Sequence, residues 1–150
     1  MKENLSLEDR ISMARYRSEA SQARLQAARL LMEKGFFSDA ISKAYYAVHS
    51  ISRAILVLHD IHASTHEGVK TMLAKELIRD AKLLQLDFAK KYSQLKALRE
   101  DADYEDYISY GLEDAKEAVA TAEEFVQRVT DLINRIISLE QNEPSAPEGL

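Results

Sequence analysis

The chain has 150 residues, 46% of them apolar and 30% charged, with a formal net charge of -5. That length suits one domain with a core of its own, and the acidic balance excludes a broadly basic nucleic-acid-binding surface, so any RNA contact must rest on a local patch. Cysteine is absent, which excludes a disulfide framework, a thiolate zinc site and a cysteine nucleophile, and fits a reducing cytoplasm.

Punctuation is sparse. There are 4 glycines and 2 prolines, and both prolines, Pro144 and Pro147, lie near the C-terminus. Everything from Leu7 to Gln141 is free of proline, which favours long helices. The N-terminal run M-K-E-N-L-S-L-E-D lacks the apolar core of a signal peptide, and no apolar run approaches membrane-spanning length.

Ser6-Leu7-Glu8-Asp9 reads as a helix start, with a serine N-cap and acids in the first turn. The helix is expected to run to Lys34, with Ala20, Ala23, Ala27 and Leu30 or Leu31 on its packed side. Gly35 supplies the stop. Ser38-Asp39 is read as the start of the second helix, where Ile41, Ala44, Val48, Ile51, Ile55 and Leu58 fall in steps of three and four. That alternation is the seam of helices packed nearly parallel to one another. Beside it runs a column of alanines seven apart, Ala40, Ala47 and Ala54, read as a second packed face that can serve a subunit interface.

His59 to Gly68 reads as a connection, with Thr65 capping a third helix over Val69 to Ala81. Phe88, Tyr92, Leu95 and Leu98 mark a fourth, followed by an acidic turn from Glu100 to Asp106. Leu112, Ala115, Val119, Ala122, Val126, Val129, Ile133 and Ile136 mark a closing helix over Leu112 to Leu139. Large aliphatic side chains contribute about 1.5–3 kcal/mol each on burial, enough for such stripes to hold a bundle together. The expectation is an all-α, antiparallel up-and-down bundle of about five helices over residues 1–141, with residues 142–150 a disordered tail.

Three segments carry a family likeness: A-I-S-K-A-Y-Y-A-V-H-S-I-S-R-A-I-L from Ala40, T-H-E-G-V from Thr65, and L-R-E-D-A-D-Y from Leu98. In this order and spacing they resemble the HEPN family (higher eukaryotes and prokaryotes nucleotide-binding), in its small stand-alone prokaryotic branch. The resemblance covers about Ala27 to Tyr107. It implies a helical bundle that dimerises, and a minimal nucleotidyltransferase as the partner in a toxin–antitoxin pair. It implies neither metal nor cofactor. Catalytic members of the family are metal-independent ribonucleases with an arginine followed, after four to six residues, by histidine. Arg99 matches the arginine, but the positions where histidine would stand hold Tyr104, Glu105 and Asp106. The branch resembled has A-D-Y there, which Ala102-Asp103-Tyr104 fits. His49 is a second departure, standing where relatives carry an aromatic residue.

The candidate nucleotide- or RNA-binding residues are therefore Arg99, Asp103, Tyr104, Arg53, Tyr46 and His66. A guanidinium offers a planar fork suited to phosphate oxygens. The plainer reading makes Arg99 a helix-end arginine paired with Asp101 or Asp103. Arg99 with Tyr104 is the alternative catalytic pair, although a phenol with a pKa of about 10 is a weak base; His49 or His66 entering from elsewhere is the other route to an imidazole. Tyr45 and Tyr46 are read as packed residues with hydroxyls at the rim, and Arg53, seven residues after Tyr46, as bordering the same cleft. His59, His62 and His66 with Asp60 and Glu67 invite a metal reading, set against Thr65 simply capping a helix. Arg10, Arg15, Arg17, Arg24 and Arg29 along the first helix are read as a solvated face. Three functions stay open: a HEPN-type binding component paired with a nucleotidyltransferase, a metal-independent endoribonuclease, and an oligomeric scaffold.

Overall fold

A computed structural model describes residues 5–80, 87–104 and 110–142, with the side chains of residues 79–80 and 102–104 outside that description. Its elements are α1 (Leu7–Glu33), α2 (Phe37–Leu58), α3 (His66–Met72), a π-helical continuation of α3 (Leu73–Asp80), α4 (Asp87–Tyr104) and α5 (Leu112–Asn142).

The helix ends follow their sequence signals. Ser6 caps α1, its side-chain oxygen accepting from the Asp9 N–H at 3.1 Å. At the other end Gly35 takes φ 86°, and the Phe36 and Gly35 N–H groups return to the carbonyls of Leu31 and Met32. This is the Schellman arrangement that glycine permits. The turn is so short that Ser38 and Asp39 lie inside the first turn of α2, rather than before it; Phe36 holds the cap position without a side-chain bond. α2 ends in the same arrangement, with Asp60 at φ 59° and Ile61 N–H returning to Leu56 O at 2.9 Å. Thr65 caps α3, accepting from Gly68 N–H at 2.9 Å. That helix starts at His66, earlier than Val69, because the cap sits at Thr65.

α1, α2, α4 and α5 alternate in direction. Ser21 Oγ donates to Ala47 O at 2.7 Å and Arg10 Nη1 to Leu58 O at 3.0 Å, fixing α1 antiparallel to α2. Phe88 meets the Phe125 ring edge-on at 4.9 Å, which with Lys91–Glu124 sets α4 antiparallel to α5. Arg29 to Glu123 at 2.5 Å ties α5 back to α1. α2 is the central rod. Ile41, Tyr45, Val48, Ile51, Ile55 and Val57 are fully buried on different sides of it, as expected of a helix apolar most of the way round.

Two readings of packed faces are corrected. The α1 residues that bury are Ile11, Ala14, Ser21, Leu25 and Ala28, whereas Ala23 is exposed and Leu30 is 56% exposed. The reason is a small-residue contact. Ala14, Ser21 and Ala28 lie seven apart on α1, and the register fixed by the Ser21 and Arg10 bonds sets them beside Ala54, Ala47 and Ala40. The alanine column is thus covered by α1 within the chain, with all three alanines fully buried, and it is not a subunit interface. The acidic turn is also corrected: α4 continues through Tyr104, so Arg99 lies within a helix and not at its end. Residues 105–109 and the expected tail at 143–150 lie outside the described residues.

Candidate functional site

Three elements converge beside the middle of α2. Tyr45 and His49, four apart, share one face of that helix with Tyr46 at its margin; Tyr92, Lys96 and Arg99 share one face of α4; His66 opens α3. Thr65 explains the third placement, because its cap fixes the first turn of α3 against α2.

The hydroxyls and imidazoles form a chain. His49 Nδ1 lies 2.7 Å from Tyr92 OH, Tyr92 OH lies 3.1 Å from Tyr45 OH, and Tyr45 OH is hydrogen-bonded to His66 Nδ1. His49 and His66 stack with centroids 4.5 Å apart, closing the chain into a ring of contacts. With one neutral imidazole donating into the chain, it can run in two directions. Either His49 donates first and Tyr45 donates into His66, or His66 donates first and Tyr92 donates into His49. In the second direction His66 Nε2 is an acceptor, the form of a general base.

Arg99 closes the outer side. Its Nη2 donates to Tyr46 OH at 2.7 Å, and its Cζ sits 5.2 Å from the Tyr46 ring centroid and 6.0 Å from that of Tyr45. Lys96 bonds Glu100 at 2.7 Å and Glu67 at 3.1 Å, so its charge is balanced locally.

This setting keeps both imidazoles neutral. Burial, followed by the charges of His66, Arg53, Arg24 and Arg17, pushes His49 down to about 4. Burial and then the cations Arg99 and Lys96 lower His66, with Glu100 opposing. Burial is also the main reason both buried phenols, Tyr45 and Tyr92, are raised above the ordinary tyrosine value. The cluster therefore presents uncharged donors and acceptors beside the Arg99 guanidinium.

Of the residues expected at the site, the fold brings Arg99, Tyr46 and His66 together. Arg53 lies on the other side of His49, against Arg17 of α1. Asp103 and Tyr104 belong to α4, with their side chains outside the described residues. Tyr45 is fully buried, so its hydroxyl serves the chain and not the rim. The sequence marks Tyr92 as a packed residue of α4, and its spacing of seven from Arg99 is the signal that the two share a face. The three connection histidines go to separate partners: His59 Nδ1 to Ile55 O at 3.0 Å, His62 Nε2 to Asp60 at 3.0 Å, and His66 to Tyr45. Among the described residues no group of three or more side chains is placed to hold a metal ion.

The profile of the HEPN domain matches residues 14–133, which takes in every residue of this cluster. The chain belongs to the HEPN domain family. This HEPN chain is 26% identical over 119 residues to the Methanocaldococcus jannaschii protein named "Putative toxin MJ0605", covering 79% of this chain and 87% of that one. A second protein of the same organism, "Putative toxin MJ0142", is 29% identical over 98 residues, 65% of this chain and 66% of its own. A "UPF0332 protein" of Thermotoga maritima is 26% identical over 109 residues, 73% of this chain and 82% of the relative. No helix among the described residues is long and apolar enough to cross a membrane.

Proposed function

We propose that this HEPN chain is the helical component of a cytoplasmic toxin–antitoxin-like pair, that it works as a homodimer with a minimal nucleotidyltransferase as its protein partner, and that Arg99 holds a phosphate of a nucleotide or RNA. The observation that carries the site is the seating of Arg99. Its guanidinium rests on the Tyr46 ring, is oriented by the Tyr46 hydroxyl, and borders a neutral His66. A preoriented fork loses little freedom on meeting phosphate oxygens, and the neighbouring imidazole adds a donor without a competing charge. The names of the two archaeal relatives support the toxin–antitoxin part.

The test is fluorescence anisotropy with a labelled single-stranded oligoribonucleotide and competition by ATP. Arg99→Ala is expected to weaken binding at least tenfold while its melting temperature stays within a few degrees of the parent. Unchanged binding refutes the site, and failure to copurify with a coexpressed nucleotidyltransferase encoded beside it refutes the partner.

A specific observation also favours the ribonuclease reading: the fold brings an imidazole to Arg99 from α3, replacing the one missing after it in sequence. In that reaction His66 Nε2 takes the 2'-hydroxyl proton, the 2'-oxygen bonds to phosphorus, the bond to the 5'-oxygen breaks, and the leaving oxygen is protonated by the imidazolium. Arg99 offsets charge on the phosphoryl oxygens. Cleavage in EDTA that is lost in both Arg99→Ala and His66→Gln supports this reading; binding without cleavage leaves the chain a binding component.

A further inference from the structure

Five arginines punctuate α1; Arg15 is exposed as a solvated face requires, and the expectation does not hold for the other four. Arg10, Arg17 and Arg24 all turn towards α2, and Arg29 pairs with Glu123 of α5. Arg17 and Arg24 converge with Arg53. Arg17 Nη1 donates to the Arg53 carbonyl at 3.2 Å, and Arg24 Nη1 donates to Ser50 Oγ at 3.2 Å and to Ala20 O at 3.4 Å. Arg17, Arg24 and Arg53 line one cavity of about 550 Å3 together with Ser12, Ser50 and Tyr16, the last of them 74% exposed.

No carboxylate among the described residues lines that cavity. Among the described residues, none of the three arginines is in an ion pair, in a chain with 25 acidic and 20 basic side chains. Arg53 Nε is buried with no hydrogen-bond partner. Burial and the like charge of Arg53 push Arg17 below the ordinary arginine range. Three half-buried cations facing one space repel one another, and an anion in that space offsets the repulsion.

We infer that the Arg17–Arg24–Arg53 cavity between α1 and α2 is a second anion site, distinct from Arg99, that takes the phosphate group of a nucleotide or of an RNA strand. Guanidinium forks match tetrahedral phosphate oxygens in pairs. The hydroxyls of Ser12 and Ser50 complete the donor set, and Tyr16 offers a ring against which a base can stack. Neither this site nor its residues depend on the reading of Arg99.

His49 provides a readout that a purely structural role would not move. The charges of Arg53, Arg24 and Arg17 all act to lower its pKa, so an anion among them must raise it. The experiment follows the His49 imidazole by NMR from pH 3 to 8, with and without inorganic phosphate, ATP or a ten-nucleotide RNA, at constant ionic strength. The affinity of this site is read from the His49 shift in the parent, Arg53→Gln, Ser50→Asp and Arg99→Ala. Arg53→Gln keeps every hydrogen bond described for residue 53, since that bond uses the backbone carbonyl. Ser50→Asp sets a carboxylate within reach of Arg24. The expected result is an upward shift of the His49 midpoint on binding, an affinity read from that shift at least tenfold weaker in Arg53→Gln, no shift in Ser50→Asp, and a retained shift in Arg99→Ala, whose weaker RNA binding by anisotropy reports the Arg99 site alone. Phosphate and ATP acting as strongly as RNA identify a nucleotide phosphate; RNA acting alone identifies the backbone; either supports the site. A His49 midpoint that no anion moves, or equal affinity in the parent, Arg53→Gln and Ser50→Asp, overturns it. Loss of the His49 shift in Arg99→Ala alone assigns the anion to Arg99 instead.

Discussion

Replacing His49 by phenylalanine should flatten the acid dependence of stability. In the folded chain His49 is held down to about 4 by burial and by the charges of His66, Arg53, Arg24 and Arg17, while an unfolded histidine titrates near 6.5. Between those two values the unfolded chain binds the extra proton. The stabilisation is therefore complete above about 6.5 and is lost as the pH falls towards 4, with no further loss from this group below that. At about 1.36 kcal/mol per pH unit the full gap is worth about 3 kcal/mol, and about 2 kcal/mol once partial exposure of the ring is allowed for. For a chain of this length that is a fall of roughly 4–8 °C in melting temperature. His66 stacks on His49 and is lowered too, so the pair titrates in two steps, with the more accessible His66 taking its proton first. The phenols Tyr45 and Tyr92, which face His49 from α2 and α4, stay neutral throughout. Asp60, Glu100 and Glu124 are lowered by their own partners, His62, Lys96 and Lys91, and lose their contributions only at more acid pH in both proteins. Urea melts from pH 7.5 to 4 should thus show a shallower loss in His49→Phe. Equal slopes in the two proteins would refute the argument.

The cap of α3 and the helix contact of α1 give two further expectations. A Cβ at Gly68 would meet Thr65 Oγ1 at 2.7 Å, so Gly68→Ala displaces the cap and costs about 1 kcal/mol, as does Thr65→Ala; in the double variant the alanine at 68 becomes neutral or stabilising, a coupling that a double-mutant cycle in urea detects. Ala47→Leu drives three extra carbons into the contact where Ser21 reaches the Ala47 carbonyl, and should lower the urea midpoint by about 1–3 kcal/mol of stability or more with the slope unchanged.

Much of the fold was legible because helix periodicity is local. The α5 stripe stands largely as read, with Ala115, Val119, Ala122, Val126, Val129 and Ile133 buried, although Leu112 is exposed and Phe125 and Leu132 join the core. α1 departs from the expectation for a physical reason. Its buried face is built from Ala14, Ser21 and Ala28, where close backbone approach matters more than hydrophobicity, so a count of apolar residues selects the wrong side. The site was legible only in part. Arg99 and His66 stand out through the segments that resemble the HEPN family and Tyr46 through its place beside the α2 seam, whereas the bonds joining Tyr45, His49 and Tyr92 span α2 and α4 and leave little trace in either.

The sequence by itself determined the long helices, their start at Ser6 and Thr65, their stop at Gly35, and the apolar seams that make a bundle, because each depends on residues within a few positions of one another. Only the tertiary structure decided which side of α1 is buried, that three of its arginines turn to α2, and that an imidazole from α3 stands beside an arginine of α4. Those outcomes depend on the register between helices, which is set by shape and close approach across the whole length of the contact.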